Sequence, residues 1–327
     1  MTPACLTRRA TLALLAAAAV ARPGQAAPAL DRPVRLVTGA GPGSGTDSVA
    51  RLLAQHLSGD YAPQVLVENR TGAVTRLALE HVKAAAPDGA TFMYLPMPVL
   101  SLFPHVYPRT TRYDPLADFA PVATVGTLPY GLMVRADHPA PDLAGLLDAM
   151  RARGNATCYA QLGTPQHMLA LTLARQAGLA LTVVPYSNGY AVALTDLLAG
   201  RIDMVFSHLA DVAAPSRDGR GRLLAVTTPE RLAAFPTIAT FAQSGFAELT
   251  ADEAVCIVLP ARTPPVLVAA LHAAVSRAVA AEPVRERLAR LEITPGVLSP
   301  EATAARLRAD FAAWGPVVAA SGFTAEG

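Results

Sequence analysis

One lysine, one tryptophan and three cysteines are all that the 327 residues hold of those types. Charge is sparse as well, 16% of residues with a formal net charge of +2, so the chain offers no electrostatic footprint for a polyanion and nucleic acid is not expected as a partner. With Lys83 the lone lysine, arginine supplies the rest of the basic charge. Together with abundant Ala and Pro, this bias reads as the base composition of a GC-rich genome, not as a functional device. Cys5 lies in the leading segment, which leaves Cys158 and Cys256, too few for a disulfide scaffold. A single bridge in an oxidising compartment and two buried thiols both stay open.

The signatures of catalysis are also missing. Of the seven histidines, His56, His81, His105, His138, His167, His208 and His272, none stands in HExxH or at paired metal-ligand spacing. No metal and no cofactor is expected. A Cys158 and His167 pair is conceivable, but a strand cysteine and a helix histidine read more simply as core and cap residues. Long apolar runs are scarce too. Arg8 and Arg9 precede an apolar run from Leu12 to Ala21 that is too short to span a bilayer, and Gly24-Gln25-Ala26 supplies small residues for cleavage. Residues 1–26 therefore read as a signal peptide cleaved near Ala26, with the product exported to the periplasm. Thr7-Arg8-Arg9 leaves the general secretory and twin-arginine routes both open.

What is present is organised around one stretch, from Arg35 to Asp47. Val34, Leu36 and Val37 suit a buried strand; Gly39-Ala40-Gly41-Pro42-Gly43-Ser44-Gly45 forms a loop; Val49, Leu52, Leu53 and Leu57 continue as a helix that Thr46 or Asp47 can cap. A glycine loop at a helix N-terminus presents bare N–H groups and about half a positive charge, which suits a carboxylate or phosphate. The loop is not GxGxxG, has no Gly-Lys-Ser/Thr, and has Pro42 where GxSxG needs glycine. By itself it is an anion site or an ordinary tight turn.

The alternation then continues. A strand over Gln64 to Glu68, a helical pattern through Leu77, Leu79, Val82 and Ala86, and a strand over Thr91 to Leu95 predict a parallel sheet with ligands beyond its strands' carboxyl ends. Val122–Val125 and Leu132–Val134 read as two extended segments. A second set follows: strands at Cys158–Ala160, Leu181–Pro185, Ile202–Phe206 and Leu223–Val226, with helices at Thr164–Gln176 and Ala191–Ala199. The strand Val255–Leu259 and three Ala-rich helices complete the chain. The simplest account is two α/β lobes whose chain crosses out and back. Gly163-Thr164-Pro165 and Ser187-Asn188-Gly189 open two helices of the second lobe and repeat the logic of the first loop.

An ordered set of short motifs runs through the chain. It includes Gly41-Pro42-Gly43, Thr46-Asp47, Val67-Glu68-Asn69-Arg70, Ala86-Pro87-Asp88-Gly89, Asp118-Phe119-Ala120-Pro121-Val122, Gly163-Thr164-Pro165-Gln166-His167, Val184-Pro185-Tyr186, Gly200-Arg201-Ile202-Asp203 and Ala320-Ser321-Gly322. The set resembles the periplasmic solute-binding proteins of tripartite tricarboxylate transporters, the Bug family. The resemblance implies a bilobed type II periplasmic-binding-protein fold, two doubly wound sheets joined by crossing hinge strands, with lobe 1 formed by 27–125 and 250–327 and lobe 2 by 126–249. It implies a receptor, not an enzyme, that closes on a small carboxylate and delivers it to the integral-membrane permease subunits. A ligand sensor for a signalling partner and a periplasmic α/β hydrolase are the alternatives.

Carried over by position, the ligand residues are Gly41, Pro42, Gly43, Ser44 and Asp47 in the first lobe and Gly163, Thr164, Pro165 and Tyr186 in the second. Asp47 reads better as a loop-former, since its carboxylate would repel an anionic ligand. Departures from the family pattern gather in the ligand loops. Val74-Thr75 replaces a glycine pair, Arg76 stands where asparagine is common, Leu95-Pro96-Met97-Pro98 replaces a Gly-Thr loop, and Ser207 stands where an acid is frequent. Pro96 and Met97 with their apolar neighbours are expected to favour a carboxylate with an apolar or aromatic body over citrate, with Asn188, Ser207 or His208 adding polar contacts. Arg76 reads either as a partner for a second carboxylate or as a solvated helix residue.

Overall fold

A computed structural model describes residues 29–186 and 189–325; the signal segment with its cleavage site near Ala26, and also Ser187 and Asn188, lie outside the described residues. The first strands are β1 (Val34–Thr38), β2 (Val65–Asn69) and β3 (Thr91–Pro96), joined through helices α1 (Gly45–Leu57) and α2 (Arg76–Lys83). All three pair in parallel, with β1 in the middle. Both faces of this sheet are covered, as right-handed crossovers demand. Phe92 and Tyr94 point into one apolar cluster with Leu36, Leu53 and Ile257, while Met93 and Leu95 point into the other with Val37, Leu79 and Val258. Truncating one such buried leucine costs about 2–5 kcal/mol, which is why the sheet's position under the loops is rigid.

Two one-turn helices, α3 (Pro98–Ser101) and α4 (Phe103–Val106), lead to β4 (Phe119–Arg135). The two extended segments expected around Val122 and Leu132 are halves of this single strand of 17 residues. Gly126, Pro129 and Gly131 read as breakers, but pairing on both sides overrides local preference. Through Pro129, β4 pairs antiparallel with β10 (Asp252–Pro260); from Tyr130 onward it pairs with β7 (Met204–His208) and β8 (Gly221–Val226). One strand thus belongs to both sheets.

The second sheet also contains β5 (Ala156–Tyr159), β6 (Leu181–Val183) and the short β9 (Ala239–Thr240), with helices α5 (Leu143–Arg153), α6 (Pro165–Ala177), α7 (Tyr190–Leu198) and α8 (Leu209–Arg217). Here β5 lies between β6 and β7, parallel to both. The chain returns to the first sheet where the Ala251 N–H donates to Thr227 O at 3.0 Å, just before β10. It ends in α9 (Pro265–Ala280), α10 (Glu282–Arg290), β11 (Thr294–Leu298) and α11 (Pro300–Ser321). Trp314 of α11 packs against clusters of both sheets.

Cys158 and Cys256 are free thiols buried in different clusters, so the single bridge is not formed. Burial pushes the Cys158 thiol up to about 12, and its Sγ donates to Tyr159 O; it forms no pair with His167. A protonated thiol at that position is no nucleophile.

Candidate functional site

The loop after β1 is held by a carboxylate. Asp47, 2% exposed on the first turn of α1, accepts from the Gly43 N–H at 2.8 Å, Arg51 Nε at 2.9 Å and Asn69 Nδ2 at 2.7 Å. Arg51's hydrogen bond, helped by those of Asn69 and Gly43 and only partly opposed by burial, holds the Asp47 carboxyl at about 2. Asn69 also donates to Ala40 O, which ties the loop to the end of β2. The N-cap is Ser44, whose Oγ accepts from the Asp47 N–H, and neither Thr46 nor Asp47 takes that place. Asp47 instead reaches back from the third helical position to the Gly43 N–H, one residue before the N-cap, while the Ser44 N–H donates to Gly41 O. Pro42, Gly43 and Ser44 are exposed, and among the described residues the Gly41, Gly45 and Thr46 N–H groups have no acceptor. A clamped backbone with unused donors at a helix N-terminus has the chemistry to accept an anion.

The second sheet offers a similar arrangement. Thr164 is the N-cap residue of α6 with Pro165 at its first position, as expected, yet Thr164 caps nothing: its hydroxyl donates to Gln161 O at 2.5 Å. The Gly163 N–H donates to His167 Nδ1, and burial pushes that imidazole down to about 4, which keeps it a neutral acceptor. The helix α7 starts at Gly189, again with no side-chain cap. Tyr186, just ahead of it, spends its hydroxyl on Asp196 Oδ2 at 2.8 Å, so its ring is what it has left for a ligand. Asn188 lies outside the described residues.

Ser207 and His208 end β7, and both side chains already have partners. Ser207 Oγ donates to Asp211 Oδ2 at 2.5 Å, so Asp211 brings an acid to the place where Ser207 lacks one. His208 stacks on Tyr130 at 5.1 Å and donates Nε2–H to Glu253 at 3.1 Å, while Tyr130 gives the same carboxylate oxygen a 2.7 Å hydrogen bond. Burial alone would raise the Glu253 carboxyl, but the charge and hydrogen bond of His208 and the hydrogen bond of Tyr130 carry it below its ordinary value. Burial likewise works against charged His208, yet Glu253 and then Asp211 raise it. Gln166 Nε2 lies 3.4 Å from His208 Nδ1 while Gln166 Oε1 is buried without a partner. Turning that amide over would pair Oε1 with the Nδ1–H of a protonated imidazole. Tyr130 comes from β4, the strand shared by both sheets, His208 from β7 of the second sheet and Glu253 from β10 of the first.

At the end of β3 the apolar run divides. Leu95 and Met97 are fully buried in the first sheet's core, and the Met97 N–H donates to Ala254 O, so of this run it is the half-buried Pro96 that is open to a ligand. A cavity of about 680 Å³ lined by Leu169, Thr172, Asp252, Arg306 and Trp314 lies elsewhere, against α6 and α11, and touches none of the candidate ligand residues.

Three contributors escaped the sequence reading. Asn69 was visible as part of a motif, without a role. Tyr107, whose hydroxyl lies against Gly163, had no signal, and the strained turn Ala73–Thr75 had none beyond the lost glycine pair. Ala73, Val74 and Thr75 have φ of 45°, 51° and 76°, a region that costs a β-branched residue of order 1 kcal/mol or more. This turn presses Thr75 onto Gly39, where any Cβ would collide with the Thr75 side chain. Val74 is exposed and makes no compensating contact in the core, so Val74→Gly is expected to raise Tm by a few degrees, about 1 kcal/mol. A fall in Tm on thermal unfolding would show that the turn is not strained.

A family model for the tripartite tricarboxylate transporter family receptor matches residues 49–323. The chain is similar to Protein BugT of Bordetella pertussis, 29% identical over 315 residues, which cover 94% of this chain and 95% of the relative. Among solved structures, Rhodopseudomonas palustris Rpa4515 with adipate is 28% identical with a TM-score of 0.77, covering 90% of this chain and 98% of that one. MatC (Rpa3494) from Rhodopseudomonas palustris with bound malate is 28% identical with a TM-score of 0.73, covering 88% and 99%. The bilobed α/β fold, the uncapped helix starts and these matches agree: the chain belongs to the tripartite tricarboxylate transporter receptor family, the Bug proteins, which are periplasmic solute-binding receptors and not enzymes.

Proposed function

We propose that this receptor closes its two lobes on a small carboxylate and delivers it to the integral-membrane permease subunits of a tripartite transporter. The observation that carries the reading is the unused backbone donors at the first turn of α1, joined by a second helix start, that of α6, without a side-chain cap. Helix N-termini of this kind stabilise an anion without needing a charged side chain. Malate and adipate, present in the two similar solved structures, are carboxylates of the size such a cleft takes. The ligand contacts are assigned to Gly41, Pro42, Gly43 and Ser44 with Pro96 in lobe 1, and to Gly163, Thr164, Pro165, Tyr186 and Asn188 in lobe 2. Asp47 holds the loop and does not touch the ligand. Ser207 and His208 stand behind the contacts, bound to Asp211 and Glu253. Lobe 1 comprises 27–125 and 250–327 and lobe 2 comprises 126–249; the change of β4's partners between Pro129 and Tyr130 supports a boundary in that region.

A thermal-shift screen of the mature chain against mono-, di- and tricarboxylates, aromatic acids and amino acids tests the reading. A ligand at 100 times its Kd stabilises the folded state by about 2.7 kcal/mol, a rise of roughly 4 °C for a chain of this size. If the folded protein responds to no carboxylate, the proposal is wrong.

A further inference from the structure

Arg76 is the residue that the receptor reading leaves unexplained. It begins α2 and is only 8% exposed, yet its Nε and Nη1 are buried without any hydrogen-bond partner. Arg51, Arg153 and Arg306 each pair with an aspartate, but among the described residues no carboxylate pairs with Arg76. Glu80, one turn further along α2, does not reach it. A guanidinium is always charged, and burying it unpaired is costly unless an anion arrives to complete it.

Its surroundings place it beside the ligand loops. The Arg76 Cζ lies 4.0 Å over the centroid of the Tyr107 ring, which covers one face of the guanidinium. That same tyrosine is packed against Gly163, where a Cβ would collide with its hydroxyl. On the other side, Thr75 packs onto Gly39 at the start of the first ligand loop. Arg76 therefore stands between the loop after β1 and the loop after β5, held there by the left-handed turn Ala73–Thr75.

We propose that Arg76 is a ligand-binding residue whose unpaired N–H groups receive a carboxylate, while the backbone donors of the loop after β1 receive another. The ligand is then a dicarboxylate, and a monocarboxylate of the same chain length leaves one charge site empty. This assignment rests on the carboxylate-receptor reading above and adds the second charge. A guanidinium suits a carboxylate that takes Nη2 together with either Nε or Nη1 in two parallel hydrogen bonds, and removing it costs the second charge but not the first.

Titration calorimetry of the mature protein with succinate, glutarate and adipate, and with butanoate, pentanoate and hexanoate, tests it, in wild type and in Arg76→Gln and Arg76→Met. The wild type is expected to bind its best diacid at least 30-fold more tightly than the matched monoacid. Both variants are expected to lose at least 30-fold for the diacid and less than threefold for the monoacid. The ligand-free variants are expected to melt at the same temperature as wild type or above it, because an unpaired buried charge has gone. Equal losses for diacid and monoacid, or undiminished diacid binding in the variants, overturns the role of Arg76 and leaves the receptor reading standing. Variants that melt lower and bind both ligand classes like wild type would make Arg76 structural. If wild type binds no carboxylate of either kind, both fail together.

Discussion

Glu253→Ala is expected to lower Tm by roughly 5 °C, equivalent to about 3 kcal/mol. Glu253 is 6% exposed and takes hydrogen bonds from both Tyr130 and His208. Its removal leaves a buried phenol hydroxyl and an imidazole without their acceptor, and an orphaned buried group costs far more than a made hydrogen bond contributes. The loss depends on pH in a defined way. The Glu253 carboxyl is lowered in the fold, so its contribution is present above the unfolded carboxyl's value of about 4.3 and fades as pH falls through the folded value. His208 is raised, so its contribution is complete below the unfolded imidazole's value of about 6.5 and fades as pH rises through the folded value. The stability difference between wild type and Glu253→Gln is therefore widest between about pH 4.3 and 6.5. A difference that stays flat from pH 4 to pH 9 would rule out an ion pair. The three partners sit on β4, β7 and β10, so the cluster ties a strand of each sheet to the strand they share.

Asp47→Ala is expected to have the largest effect on binding, weakening the best carboxylate about 100-fold. Asp47 fixes Gly43 directly and, through Asn69, Ala40. Freeing two loop residues restores about 1–2 kcal/mol of backbone entropy each to the unliganded state, which binding must then remove. Stability falls less, by about 2 kcal/mol, since half-exposed Arg51 keeps its solvent. With the folded carboxyl at about 2, Asp47 contributes above the unfolded value of about 3.9 and its share is lost as pH falls toward 2. The melting curves of wild type and Asp47→Asn should thus converge in acid. Unchanged affinity in Asp47→Ala, measured by calorimetry, would mean that the loop is ordered without its clamp.

Much of this molecule was readable from short-range pattern. The strands around Leu36, Val67, Phe92 and Val205 announce themselves as apolar runs, and Pro165 opens α6 from its first helical position. The glycine loop and the ordered motifs pointed to the family before any geometry was known. Other readings failed where distant pairing decided the outcome. Ser44 caps α1 because Asp47 is drawn to Gly43, Arg51 and Asn69, and a cap cannot be chosen among Ser44, Thr46 and Asp47 without that competition. Met97 looked like pocket wall but lies in the core, since its neighbours Val258 and Leu307 are far along the chain.

The sequence by itself determined the alternation of strands and helices, the glycine loop and the family to which the chain belongs, because each is written in neighbours a few residues apart. Only the tertiary structure decided that β4 runs unbroken through both sheets, that Glu253 meets His208 across 45 residues, and that Arg76 is buried with no counter-ion among the described residues. Periodicity says which face of an element is apolar. Which charged side chains end up beneath that face, and whether they find a partner there, depends on contacts that no local pattern records.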